Sequence, residues 1–339
     1  MLKKTKTVFL ISVCFNLFSI SILYNGFAAE RIIKVGFGTS QQHPVYRGLT
    51  VFKSMVEKET QGALEVKLFP NSQLGSDREM IEQLRSGVLE MYQGTTALLS
   101  SMANEFLALD LPFLWPTSEI QDKVLDGNFG KSLSKVTEQK KLGFVMLNFW
   151  DAGFRQLTNN KRPINTPQDI AGLKIRVMEN PIHIATFKAL KADPTPIAFG
   201  ELYTALQQGV VDGQENPIPI TYSQRFYEVQ KFLSLTGHLN TPLCLLISQK
   251  TWDLLTLSHK TIIQKAADIS RDQERRENRE QAESLLTEME KSGLKVNKLT
   301  PENKKGFAQL VEPVYQQFKP VIGGNWLEEE QKAIQTVSK

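Results

Sequence analysis

The sequence predicts an α/β protein of two lobes, and three observations predict it. Strand and helix patterns alternate between residues 31 and 92. A second alternation occupies 153–238. Beyond an apolar leader the chain keeps about 310 residues, more than a single hydrophobic core ordinarily serves.

The leader is expected over 1–29. Lys3, Lys4 and Lys6 precede a mostly apolar run from Val8 to Leu23, and Gly26-Phe27-Ala28-Ala29 supplies the small residues of a cleavage site after Ala28 or Ala29. The run is shorter than the ~20 residues of a membrane span, which favours a cleaved export signal over an anchor. Val13 is a poor lipobox residue before Cys14. Cleavage removes three lysines and no acid, so the formal charge falls from +4 to +1. A near-neutral mature chain carries no electrostatic footprint for nucleic acid. Cys14 leaves with the leader and Cys244 stays alone, so no internal disulfide is expected.

In the first alternation, Arg31–Phe37 reads as a strand. Pro44–Thr60 reads as a helix with an apolar face of Val45, Leu49, Phe52, Met55 and Val56, stopped by Gly62. Leu64, Val66 and Leu68 alternate with Glu65 and Lys67 in a second strand. Ser76-Asp77-Arg78-Glu79 is a capping box, in which hydroxyl and carboxylate each satisfy a free backbone N–H. Its helix ends near Gly87, and Val88–Tyr92 is the third strand. The order β-α-β-α-β predicts a parallel sheet covered on both faces.

Gly143–Trp150 is a further strand leading to Arg155. Thr166-Pro167 opens a short helix that Gly172 ends. In Leu173–Val177 the period of two puts Leu173, Ile175 and Val177 on one face and Lys174 and Arg176 on the other. Helices follow around Ala185–Leu190 and Glu201–Gln208, the second stopped by Gly209. Ser258 to about Ser292 reads as one long helix, which at ~1.5 Å per residue reaches about 50 Å. Its ends carry apolar stripes (Ile262, Ile263, Ala266, Ile269; Leu285, Leu286, Met289), and its middle, RDQERRENRE, is charged on all sides. Packed ends with a solvated middle suit a strut laid across two lobes.

Arg176 is the residue of most chemical interest. A planar guanidinium fixed on a strand grips a carboxylate with two parallel hydrogen bonds. The plainer role is a surface pair with an acid such as Glu179. Asn216 sits in a loop before Pro217, where an amide also serves a turn. His43 follows the first strand, at the strand end where open α/β sheets bind ligands, but a residue entering the next helix fits equally. Trp150, at the end of its strand, is placed to wall a cleft.

Four segments in this order carry a family resemblance: GFRQLTNNKRPI at 153–164, GLKIRV at 172–177, PTPIAFGELYTALQQGVVDGQENP at 194–217 and FYEVQKFLSLTGH at 226–238. The chain resembles the solute-binding subunit of tripartite ATP-independent periplasmic (TRAP) transporters, of the dicarboxylate-binding DctP type. The resemblance implies a periplasmic binding protein fold with a ligand cleft between two lobes and the long helix spanning both. Lobe I would be 30–152 completed by about 240–280, and lobe II 153–239 completed by about 281–339.

It also implies a periplasmic, non-enzymatic monomer without cofactor. Such a protein delivers a small organic acid to the small and large subunits of an ion-driven permease. Arg176 would hold the ligand carboxylate, with Asn216 beside it. Arg155 would be a second ligand-facing arginine or a hinge salt bridge, and Phe199 would pack on the ligand or in the core. C4-dicarboxylates come first among expected ligands, because two guanidiniums suit two anionic ends. Sugar acids come second, with Gln41, Gln42 and Asn216 as hydroxyl partners; sialic acid is also taken by relatives. Met178 stands where some relatives have proline, which loosens the transfer of any one specificity. A sensor-associated binding protein shares the fold.

A secreted α/β enzyme is the rival from another class. The sequence has no G-x-S-x-G, P-loop or dinucleotide fingerprint, and His43, His183, His238 and His259 lack metal-ligand spacing.

Overall fold

The computed structural model describes residues 31–338. The leader expected over 1–29, with Cys14, lies outside the described residues. The strands are β1 (Arg31–Phe37), β2 (Leu64–Phe69), β3 (Met91–Thr95), β4 (Phe144–Trp150), β5 (Arg155–Asn159), β6 (Lys174–Val177), β7 (Asp193–Pro196), β8 (Gly213–Pro217), β9 (Phe232–Leu235), β10 (Leu243–Ser248) and β11 (Lys295–Lys298).

They form two sheets, ordered β2-β1-β3-β10-β4 and β11-β9-β5-β8-β6-β7. In the first, β1 runs parallel to β2 and β3, as the β-α-β-α-β order requires. The sheet is nevertheless mixed, because β10 lies antiparallel between β3 and β4. This strand belongs to chain returning from the second sheet. Its sequence LCLLIS is buried throughout, as a central strand covered on both faces requires.

Two apolar clusters cover the first sheet. One is built on Val45, Leu49, Phe52 and Val56 of the helix Pro44–Glu59, the other on Met80, Ile81 and Leu84 of the helix Asp77–Ser86. The capping box forms, with Glu79 N donating to Ser76 Oγ at 3.4 Å and Ser76 N to Glu79 Oε2 at 2.7 Å. Gly87 closes this helix at φ 79°. The third strand starts at Met91 rather than Val88. The amides of Val88 and Leu89 both donate to the Gln83 carbonyl, so they finish the helix and are not free for a ladder.

The long helix is two: Leu257–Glu280 and Ala282–Lys291, meeting at Gln281. The first packs on the helix Pro44–Glu59 and on β4, and the second on the helix Ile218–Ser223 of the other sheet. The charged middle is not solvated all round. Glu274, Arg275 and Asn278 are buried. Arg275 pairs with Asp122 at 3.1 Å and Asp126 at 2.7 Å, and Arg279 with Asp151 at 3.0 Å.

The helix Pro301–Ile322 supplies Phe307, Val311, Val314 and Phe318 to the core of the second sheet. The last helix, Trp326–Val337, adds Ile334 to a cluster of the first sheet and packs beside the helix Ser118–Asp126. The chain from Pro301 onward therefore contributes to the cores of both sheets.

Candidate functional site

Between the two sheets lies a cavity with an empty volume of about 740 Å³, its mouth included. Residues at the carboxyl ends of β1 and β3 wall one side: Gly38, Thr39 and Gln93 to Thr95. Arg176, Met178 and Glu179, at the carboxyl end of β6, wall the other. Open α/β sheets bind ligands at this end of their strands.

Arg176 sits on β6 between Thr195 of β7 and Gln214 of β8. Ile175 and Val177 point into the core of the second sheet, so the alternation turns Arg176 toward the cavity. It is only 2% exposed. Its Nε donates to the Ile197 carbonyl at 2.8 Å, and its Nη1 has no partner among the described residues. Burial pulls its pKa down to about 10, against the favourable charges of Glu215, Asp77 and Glu179. The group therefore stays cationic at neutral pH.

Arg155 opens β5 and also lines the cavity, yet its guanidinium is engaged. Nε donates to Glu215 Oε2, and Nη2 reaches Glu215 Oε1 at 2.9 Å and Asn216 Oδ1 at 3.0 Å. Glu215 is fully buried on β8, with His238 Nε2 at 3.2 Å and His183 Nδ1 at 3.7 Å. Burial raises its pKa, but Arg155 and the two histidines outweigh burial and hold the carboxyl well below its usual range. Burial pulls His238 down; on His183 it is outweighed by Asp110 and Glu215, which leave that imidazole raised. The salt bridge weighed for Arg155 is thus present in the cavity wall itself.

Asn216 lies on β8, not in a loop, opposite Gln156 of β5. It borders the cavity, while its amide also donates to Gln214 Oε1. Phe199 lines the cavity and meets Phe226 edge-on at 6.1 Å between centroids. A Cβ at Gly38 would come within 3.1 Å of the Phe199 ring, so this close approach suits glycine.

Two expected site residues are elsewhere. His43 is the N-cap of the helix Pro44–Glu59; its Nδ1 accepts from Val45 N at 3.2 Å, and it does not line the cavity. Burial first, then Arg47, brings its pKa to about 3, so it works as a neutral cap. Trp150 is core: its Nε1 donates to Asn148 Oδ1 at 2.8 Å, and its ring fills the space a side chain at Gly48 would need. Gln41 and Gln42 are exposed and do not line the cavity.

The cavity adds groups that the sequence reading missed. Asp77, the first residue of its helix, accepts from Tyr92 OH at 2.9 Å. Burial raises its carboxyl pKa, Tyr92 and Arg176 oppose the rise, and Glu179 adds to it. Gln93 Nε2 and Thr39 Oγ1 are buried with no partner among the described residues. Glu179 Oε1 accepts from Arg78 Nε at 2.9 Å. Applying the strand-end rule to β3 would have found Gln93, but only with that strand in its true register.

Among the described residues, no group of three or more His, Cys, Asp or Glu is placed to hold a metal ion. No helix among them is long and apolar enough to cross a membrane. The arrangement can take up an anion, exclude water from it and surround it with hydrogen-bonding groups.

The family profile described as bacterial extracellular solute-binding protein, family 7 (DctP), matches residues 35–320. The chain is similar to the 2,3-diketo-L-gulonate-binding periplasmic protein YiaO of Escherichia coli, at 33% identity over 84% of this chain and 85% of that one. Among solved structures it is similar to the sugar acid binding protein DctPAm of Advenella mimigardefordensis in complex with galactonate. That match has a TM-score of 0.88 and 36% identity, and covers 91% and 99% of the two chains. A TRAP periplasmic solute binding protein of Sulfurospirillum deleyianum with bound succinate matches at TM-score 0.85 and 37% identity, over 89% and 99%.

Proposed function

The chain belongs to the bacterial extracellular solute-binding proteins of family 7, and from that premise we propose that it captures a hydroxylated organic monoacid through Arg176. Proteins of this family are substrate-binding components of TRAP transporters, not enzymes, and bind small acids. In this reading the leader exports the chain to the periplasm, where it works as a monomer. It hands its ligand to the small and large membrane subunits of the permease.

The observation that carries the reading is the open, buried Nη1 of Arg176 in the cavity wall. A neutral ligand would leave a desolvated cation unpaired, at a cost of several kcal/mol. The choice of a monoacid follows from the charges around it. Two guanidiniums suit the two ends of a C4-dicarboxylate, but Arg155 is paired with Glu215. Asp77 lines the same cavity, and a second carboxylate near it would meet like charge. Hydroxyls would instead donate to Asp77 and accept from Gln93 Nε2. A sugar acid offers one carboxylate and such hydroxyls, and the relative solved with galactonate supports that class. A C4-dicarboxylate is the second reading, favoured by the relative solved with succinate.

A thermal-shift screen of the mature protein tests this. D-galactonate and similar hydroxy acids are expected to raise Tm most, succinate less, and the neutral polyol galactitol not at all. A neutral sugar or a cationic amino acid that stabilises while every organic acid fails would overturn the assignment.

A further inference from the structure

Arg78 and Glu179 join the two sides of the cavity at its mouth. Arg78 lies in the first turn of the helix Asp77–Ser86, which packs on the first sheet. Glu179 lies between β6 and the helix Pro181–Ala189, on the second sheet. The Nε to Oε1 contact is 2.9 Å, and Nη2 approaches the Glu179 carbonyl at 3.4 Å. The side chains are 46% and 32% exposed, so the pair sits at the solvent edge.

Both residues adjoin ligand-facing groups. Asp77 precedes Arg78, and Glu179 itself lines the cavity. A second bond between the sides, Ser40 Oγ to the Ser223 carbonyl at 2.9 Å, adjoins the lining residues Thr39 and, three positions before Ser223, Ile220. The lobes are therefore in contact around the cavity.

We propose that Arg78–Glu179 is a charge latch that forms only when the lobes close and that sets how fast ligand leaves. Any rotation that opens the cavity must pull these residues apart, because different sheets carry them. A contact present only in the closed state deepens that state and slows escape. The latch has a second effect inside the cavity: it pairs the Glu179 carboxylate with Arg78, which lessens that acid's competition with ligand for Arg176.

The proposal rests on the acid-binding reading, and the test separates the two. Stopped-flow association and dissociation are measured with D-galactonate, and with succinate as a second probe. The proteins are wild type, Arg78→Gln, Glu179→Gln, the double variant, and the swap Arg78→Glu/Glu179→Arg. Lys67→Ala, which breaks the same-lobe pair Lys67–Glu65 of similar exposure, is the control.

Each single Gln variant should raise the dissociation rate about two- to five-fold, the range of an exposed ion pair. The double variant should release no faster than the worse single, the swap should recover some of the loss, and the control should behave as wild type. Additive singles, or association rates that change while dissociation does not, would show rim charges that steer ligand without latching, and would overturn the proposal. If no acid binds the wild type, the acid-binding reading falls and the latch with it. If acid binds and Arg78→Gln releases it at the wild-type rate, the latch alone falls.

Discussion

Arg155 and Arg176 border one cavity, are almost equally buried at 3% and 2%, and do different work. Arg155, where β5 meets β8, is answered by the Glu215 carboxylate through two hydrogen bonds, by the Glu215 carbonyl through a third and by Asn216 through a fourth. Arg176, on β6, has a backbone carbonyl on Nε and an open Nη1. Burying a cation is costly unless it is paired. The paired arginine is explained by the fold alone. The other keeps an Nη1 with no hydrogen-bond partner among the described residues, and on the proposed reading that is where the ligand carboxylate docks.

The largest expected effect tests the open arginine. Arg176→Ala should lower acid affinity by about two to four orders of magnitude, because charge-assisted hydrogen bonds contribute about 1.5–3 kcal/mol each. Arg176→Lys should also weaken binding strongly, since an ammonium cannot make the planar two-bond contact. Thermal stability should hold or rise, because an incompletely paired buried charge is removed. Calorimetric titration of a folded Arg176→Ala protein decides the matter; near-normal affinity would erase the contrast between the arginines.

The same contrast separates what was legible in the sequence from what was not. The capping box of Ser76 and Glu79 was legible because both members lie within four residues. The cavity-facing side of β6 was legible because strand alternation is local. The state of Arg155 was not, since its partner Glu215 is sixty positions away and meets it only through the pairing of β5 with β8. RDQERRENRE reads as solvated in the sequence for the same reason, though Glu274, Arg275 and Asn278 are buried. The acids that cover Arg275 and Arg279 stand at 122, 126 and 151, and no pattern within one helix reveals them. The place of His43 after β1 picks the right end of the sheet but does not tell a helix cap from a pocket wall.

The second effect tests the paired arginine and should appear as lost stability. Glu215→Ala leaves Arg155 buried and alone, and removing one member of a buried pair typically costs about 3–5 kcal/mol. Chemical denaturation should show that loss, alongside a fall in Tm. Stability within about 1 kcal/mol of wild type would mean that the wall absorbs an unpaired Arg155, leaving the arginines alike.

The smallest effect is a matter of pH, and it distinguishes the two charges in one experiment. The Glu215 carboxyl titrates well below its usual range in the folded protein. A depressed carboxylate lends stability that is fully present above its unfolded pKa, near 4.3, and is lost as pH falls toward the folded value. Between those limits the unfolded chain binds a proton that the folded chain does not, worth about 1.4 kcal/mol per pH unit. Arg176, even at about 10, stays charged throughout this range. Wild-type stability should therefore slope downward below about pH 4.3, and Glu215→Gln should lose one proton's share of that slope. Arg176→Ala should keep it, because its group does not titrate there. Denaturation midpoints from pH 7 to pH 3 measure the three slopes. An unchanged slope in Glu215→Gln would mean that the acid response arises elsewhere, and that Glu215 answers Arg155 more weakly than its geometry implies.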